Sequence, residues 1–111
     1  MWLFIFFTIS IFSFTHQSNI DFSPGIRKFC KNYPPLTNEN AENFRYELLG
    51  RGLMKVCEDL AEKLAWSADK HRRCGASVRS EYHRLLGIYF KSESDIGLVK
   101  ENIRKFCNDY Q

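Results

Sequence analysis

Leu53-Met54-Lys55-Val56-Cys57-Glu58-Asp59-Leu60-Ala61-Glu62-Lys63-Leu64, residues 53–64, is the stretch that decides the fold class. Leu53, Val56, Cys57, Leu60 and Leu64 form an apolar stripe, while Lys55, Glu58, Asp59, Glu62 and Lys63 fall mostly on the other side. That pattern predicts an amphipathic helix with one face against a core. The same period runs through the rest of the chain beyond its first residues, and no alternating strand pattern, internal repeat or low-complexity tract accompanies it.

Working toward the N-terminus, Gly50 and Gly52 interrupt the pattern and predict either a kink or a true break. Before them, Ala41, Phe44 and Leu48 recur at helical spacing behind a polar stretch, Thr37 to Asn40, rich in capping residues. Further back, Ser23 is read as an N-cap and Pro24 as the first helical residue. Ile26, Phe29, Cys30 and Tyr33 then share a face until Pro34 and Pro35 stop the helix. Toward the C-terminus, residues 67–75 read as a polar connector ending in Cys74 and Gly75. A helix follows through Val78, Tyr82, Leu85, Leu86 and Tyr89 to about Phe90. Ser92 and Ser94 can cap a last helix, with Asp95 at its positive end, whose buried face runs through Ile96, Val99, Ile103, Phe106 and Tyr110. The predicted fold is all-α: a compact bundle of four to five short helices, with Phe44, Leu53, Val56, Leu60, Leu64, Tyr82, Leu85, Ile96, Val99, Ile103 and Phe106 in one core.

The run from Trp2 to Phe14 is uncharged and rich in Phe and Ile, about the length of a signal-peptide core and shorter than the roughly 20 residues a bilayer span needs. Residues 1–18 are therefore read as a secretory signal cleaved between about residues 16 and 19, with a retained membrane anchor as the alternative. Residues 19–111 are read as one domain. Export implies an oxidising compartment, where Cys30, Cys57, Cys74 and Cys107 are most simply two disulfides. Four cysteines allow three pairings. Placement on the predicted helices favours the nested one: Cys30 to Cys107 ties the first helix to the last, and the chain between Cys57 and Cys74 can climb one helix and return.

Net charge is +3 with 26% charged residues, too even a balance for the dense basic face of a nucleic-acid binder. Weak attraction to anionic lipid or glycan stays open. His71 and His83 stand 12 positions apart, with no HxxxH or HExxH spacing and no cysteine to spare, which points to solvated histidines rather than a metal site. No GxSxG, Gly-rich phosphate loop or CxxC occurs, and Glu58, Asp59 and Glu62 read as a solvated helix face. The expectation is a non-enzyme with no catalytic residues, metal or cofactor.

Lys70-His71-Arg72-Arg73 is the densest positive run. It reads as a solvated connector, as a contact for lipid headgroups or an acidic receptor, or as a dibasic processing site. Trp66 beside it either plugs the core or lies half buried at an interface. Trp66, Lys70, Arg72, Arg73 and Arg79 are thus the candidate membrane or partner contacts.

Met54-Lys55-Val56-Cys57-Glu58-Asp59-Leu60 is similar to the helix around the third cysteine of the saposin-like family. Cys74 followed by Tyr82, Leu85 and Leu86 resembles the helix that begins at the family's fourth cysteine, and Ile103 to Cys107 the approach to its fifth. The resemblance covers residues 23–111 and departs at named places. Arg27 and Tyr110 stand where the family has its outermost cysteine pair, Pro34 and Pro35 interrupt the family's long first helix, and the gaps around Cys74 are longer. The resemblance implies a secreted protein whose amphipathic helices open around acyl chains or lie on an anionic membrane. The other functional class left by the residues is a secreted ligand or effector that binds a protein receptor.

Overall fold

Thr37 opens the helical run around which the other helices pack. In the computed structural model, which describes residues 20–91 and 95–111, α1 spans Ser23–Asn32 and α2 Asn38–Glu47; a π-helical segment follows over Leu48–Met54, then α3 Lys55–Lys63, α4 Ala68–Tyr89 and α5 Ile96–Asp109. The fold is all-α and stapled by two disulfides, with no strand among the described residues. The signal segment read at residues 1–18 lies outside the described residues.

Thr37 and Asn40 form a reciprocal cap. The Asn40 backbone N–H donates to the Thr37 hydroxyl at 3.2 Å, and the Thr37 N–H donates to the Asn40 side-chain oxygen at 2.8 Å. From there the helical run continues to Lys63, so the glycines do not break it. The turn widens instead, and the Lys55 N–H donates back to the Gly50 carbonyl five residues earlier. The physical reason is the placement of Leu48 and Leu53, both fully buried. Five residues apart, they would point about 140° away from each other in an α-helix, and the wider π turn brings them to one side.

Glycine also lets α1 cross this segment closely. A Cβ on Gly25 would collide with Val56 Cγ2 and lie 2.8 Å from the Gly52 carbonyl oxygen; one on Gly52 would lie 2.9 Å from Leu48 Cδ1. Gly25→Ala is therefore expected to lower stability by about 1–3 kcal/mol, the usual cost of overpacking. Gly50, with no heavy atom within 4 Å of its Cβ position, provides the control. Gly50→Ala should hold or raise the denaturant midpoint, and equal midpoints for the two variants would contradict the close crossing.

The ends of the helices differ from expectation in three places. Ser23 is the first helical residue rather than the cap, because buried Phe22 occupies the cap position; Asp21 Oδ1 accepts the Ser23 N–H at 3.0 Å. That hydrogen bond holds the Asp21 carboxyl below the usual carboxylate range. Residues 68–75 are not connector: Ser67 caps α4 by accepting the Lys70 N–H, and the helix is 22 residues long. Asp95 caps α5, accepting the Gly97 N–H at 3.0 Å, while Ser92 and Ser94 lie outside the described residues.

Cys30 is bonded to Cys107 and Cys57 to Cys74, with Cα atoms 5.6 and 5.8 Å apart, which is the nested pairing. Three residues before Cys30 and three after Cys107, Arg27 Nε donates to the Tyr110 carbonyl at 3.0 Å. The two contacts fix α1 and α5 as antiparallel neighbours. Of the expected core, Phe44, Leu53, Leu85, Ile103 and Phe106 are buried; Val56, Tyr82, Ile96 and Val99 are half buried against it. Leu60 is only half buried and Leu64 is 56% exposed, because α3 runs on past the core.

Tyrosines fasten the helices to one another at the core margin. The Tyr33 hydroxyl shares its proton between the Asn40 carbonyl at 2.8 Å and Glu47 Oε1 at 3.1 Å, and the Tyr89 hydroxyl donates to Asp109 Oδ2 at 2.6 Å. Burial, then the Glu47 hydrogen bond, pushes the Tyr33 phenol up to about 12; the Asp109 hydrogen bond, then burial, does the same for Tyr89. Both groups ionise later in the folded than in the unfolded chain, so their contribution is complete below pH ~10 and declines as pH rises toward ~12. Tyrosinate absorbance should show a late class of tyrosines that shrinks in Tyr33→Phe. A single class titrating near pH ~10 in the folded protein would contradict it.

Candidate contact surfaces

Between the two cysteines of the inner bridge, no side chain is buried. From Glu58 to Arg73 only Leu60, Ala61 and Trp66 reach half burial, whereas Cys57 and Cys74 are 3% and 1% exposed. The tail of α3 and the first turns of α4 thus form a helical arm that stands off the core, closed at its base by the Cys57–Cys74 bond.

The arm's turn is built by a helix stop. Ala65 takes a left-handed backbone, φ 50°, and the Trp66 N–H donates to the Ala61 carbonyl at 3.0 Å, a Schellman closure of α3. This sends the Trp66 ring back against the core margin, with its indole Nε1 buried and unpartnered, and Lys70 Nζ stands 5.1 Å from the ring centroid. Trp66 is thus half buried overall, and the contact its ring makes is with the core. Exposed Leu64 sits next to it at the tip.

The predicted basic contacts do not form one patch. Arg72 and Arg73 both pair with Asp69, one turn back on the same helix, at 2.5 and 2.9 Å. Lys70 and Arg79 are nine residues apart on α4, which places them on opposite sides of the helix. Over the whole arm, Lys63, Lys70, Arg72 and Arg73 are matched by Glu58, Asp59, Glu62 and Asp69. A dibasic processing site is also disfavoured in place, because Arg72 and Arg73 lie within a helix instead of an extended loop.

Cations that sequence reading missed lie elsewhere. Arg27, Lys28 and Lys31 on α1 and Arg104 and Lys105 on α5 are exposed, and Lys100 is half buried. None is in an ion pair among the described residues, where the pairs found lie between α2 and α4. Helix α1 carries no carboxylate, and α5 carries Glu101 and Asp109, the latter accepting from Tyr89. These residues are spread over eighty positions of sequence, so no basic run announces them. Their only sequence signal is the cysteine pairing that brings their helices together.

His71 and His83 are both exposed and stand about 18 Å apart along α4, and no group of three His, Cys, Asp or Glu among the described residues could hold a metal ion. A shallow cleft of about 440 Å³ lies between Ile20, Phe22 and the flank of α4 at Ala76, Ser77, Ser80, Glu81 and Arg84. Its charged groups are committed to each other, Arg84 donating to both Glu81 oxygens at 2.6 and 2.9 Å. No helix of the described residues is long and apolar enough to cross a membrane. Comparisons of the chain with family models, with curated proteins and with solved structures find no match in any of the three.

Proposed function

We propose that the protein is exported and works as a non-enzymatic membrane-interacting module, in the manner of saposin-like proteins, with the stapled arm as the part that enters the lipid interface. The observation that carries this reading is the arm itself: a disulfide-closed helical hairpin with no buried residue between its cysteines, whose tip offers exposed Leu64 beside half-buried Trp66. An indole ring favours the headgroup level of a bilayer, and Lys63 and Lys70 can lay their alkyl stems along the tip while their charges stay in water. The two disulfides and the apolar run at Trp2 to Phe14 support export.

The arm's balanced charge favours a second reading, a secreted ligand whose arm meets a protein receptor, since mixed charges suit a protein surface better than a uniformly anionic one. Trp66 separates the two. It is the one tryptophan after residue 18, so emission from the secreted protein reports on the arm alone. Adding phosphatidylcholine vesicles containing phosphatidylserine should shift that emission to shorter wavelength, and Leu64→Glu should suppress the shift. Unchanged emission with every vesicle at acidic and neutral pH would overturn the membrane reading in favour of the receptor ligand.

A further inference from the structure

We infer that the outer surface of α1 and α5, astride the Cys30–Cys107 bridge, is the face that recruits the protein to anionic lipid. The inference rests on the membrane reading and adds to it the site and charge of the headgroups selected.

The disulfide sets the geometry. Arg27 and Lys31 are one helical turn apart on α1, on the flank that carries Cys30; Lys100 and Arg104 are one turn apart on α5, on the flank that carries Cys107. Since α1 and α5 run antiparallel, the bridge joins these two flanks into one surface, with Lys28 and Lys105 toward its outer margins. Arg27 spends its Nε–H on the Tyr110 carbonyl and keeps its terminal nitrogens. Asp21 exerts a weak attraction on Arg27, and Glu101 and Asp109 are the exposed carboxylates of α5, Asp109 accepting from the Tyr89 hydroxyl. Six cations against Asp21, Glu101 and Asp109 leave an excess of +3, equal to that of the whole chain, so the positive excess of the molecule is concentrated here while the rest is balanced.

Two features favour a lipid surface over a linear polyanion such as a sulfated glycan. The cations are spread in two dimensions across a pair of helices rather than in one row, matching a lattice of headgroups. Leu98, 43% exposed, lies two turns before Lys105 on the same side of α5 and offers an aliphatic contact beside the charges. The Asp69-bound arginines of α4 have no such excess to offer.

Vesicle co-sedimentation tests this, with phosphatidylcholine alone and mixed with phosphatidylserine, at low and high salt. The secreted protein should prefer the anionic vesicles and lose that preference as salt rises. Replacing two cations, Lys31→Gln with Arg104→Gln, should weaken binding to anionic vesicles about 30-fold, about fivefold for each charge near such a surface. Arg72→Ser with Arg73→Ser should change it less than twofold. Lys28→Gln with Lys105→Gln is a second pair on exposed positions, and unchanged melting temperatures show that each variant is folded. If the wild type ignores all vesicles, the membrane reading itself falls. If it binds neutral and anionic vesicles alike, or if only the α4 pair weakens binding, the membrane reading stands and this inference is overturned. Retention on heparin without vesicle binding would assign the face to a glycan and overturn it too.

Discussion

Phe44→Ala should leave the chain without a stable fold. Phe44 is completely buried, and its ring centroid lies 5.4 Å from Phe29, 5.0 Å from Tyr33, 6.0 Å from Phe90 and 6.1 Å from Phe106. One side chain therefore joins α1, α2, the end of α4 and α5. Truncating a buried Phe to Ala costs about 3–5 kcal/mol, against a total of about 5–15 kcal/mol for a domain and near the lower end for one this small. Phe44→Leu keeps most of the volume and should cost less than about 1.5 kcal/mol. Thermal melts followed by circular dichroism check both. A near-native melting temperature for Phe44→Ala would mean that the aromatic cluster is not the centre of the fold.

The second large effect is asymmetric between the bridges. Cys30–Cys107 closes a separation of 77 residues and Cys57–Cys74 one of 17. On the chain-entropy account, these constraints on the unfolded state are worth about 4.5 and about 3 kcal/mol. Paired Cys→Ala replacement at the outer bridge should thus lower the denaturant midpoint more than replacement at the inner one. The native state reinforces the ordering, since the inner bridge closes an arm with no buried side chain while the outer one joins two helices of the core. A larger loss from the inner pair would show that the arm base, not the α1–α5 seam, limits stability.

Most of the fold was legible because burial writes a period into sequence. α1, α2, α3 and α5 each place apolar residues at three- and four-residue steps, and α4 does so from Val78 onward. The first turns of α4 were misread as connector for the converse reason: Lys70, His71, Arg72 and Arg73 flank no core, so no apolar period marks their helix. Leu64 failed the other way, keeping the α3 stripe where the core had already ended. The glycines at 50 and 52 signalled an irregularity whose kind depended on the joint burial of Leu48 and Leu53 and on α1 crossing at Gly52, tertiary contacts invisible along the chain. The contact surfaces were less legible. Asp69 stood in plain view three and four residues before Arg72 and Arg73, at the spacing that neutralises them. The α1 and α5 cations became neighbours only through the outer disulfide.

The arm between Cys57 and Cys74 has a consequence for how this protein can vary. Apart from Trp66, which packs against the core margin, its side chains contribute little to the core, and its closure depends on two cysteines and a helix stop at Ala65. Substitutions there should be nearly neutral for folding, so the fold acts on the arm as a cassette holder: different hairpins can be grafted between the same two cysteines while the remaining helices keep their melting behaviour. Selection on that segment is then free to follow whatever surface the arm meets, with little interference from the demands of stability.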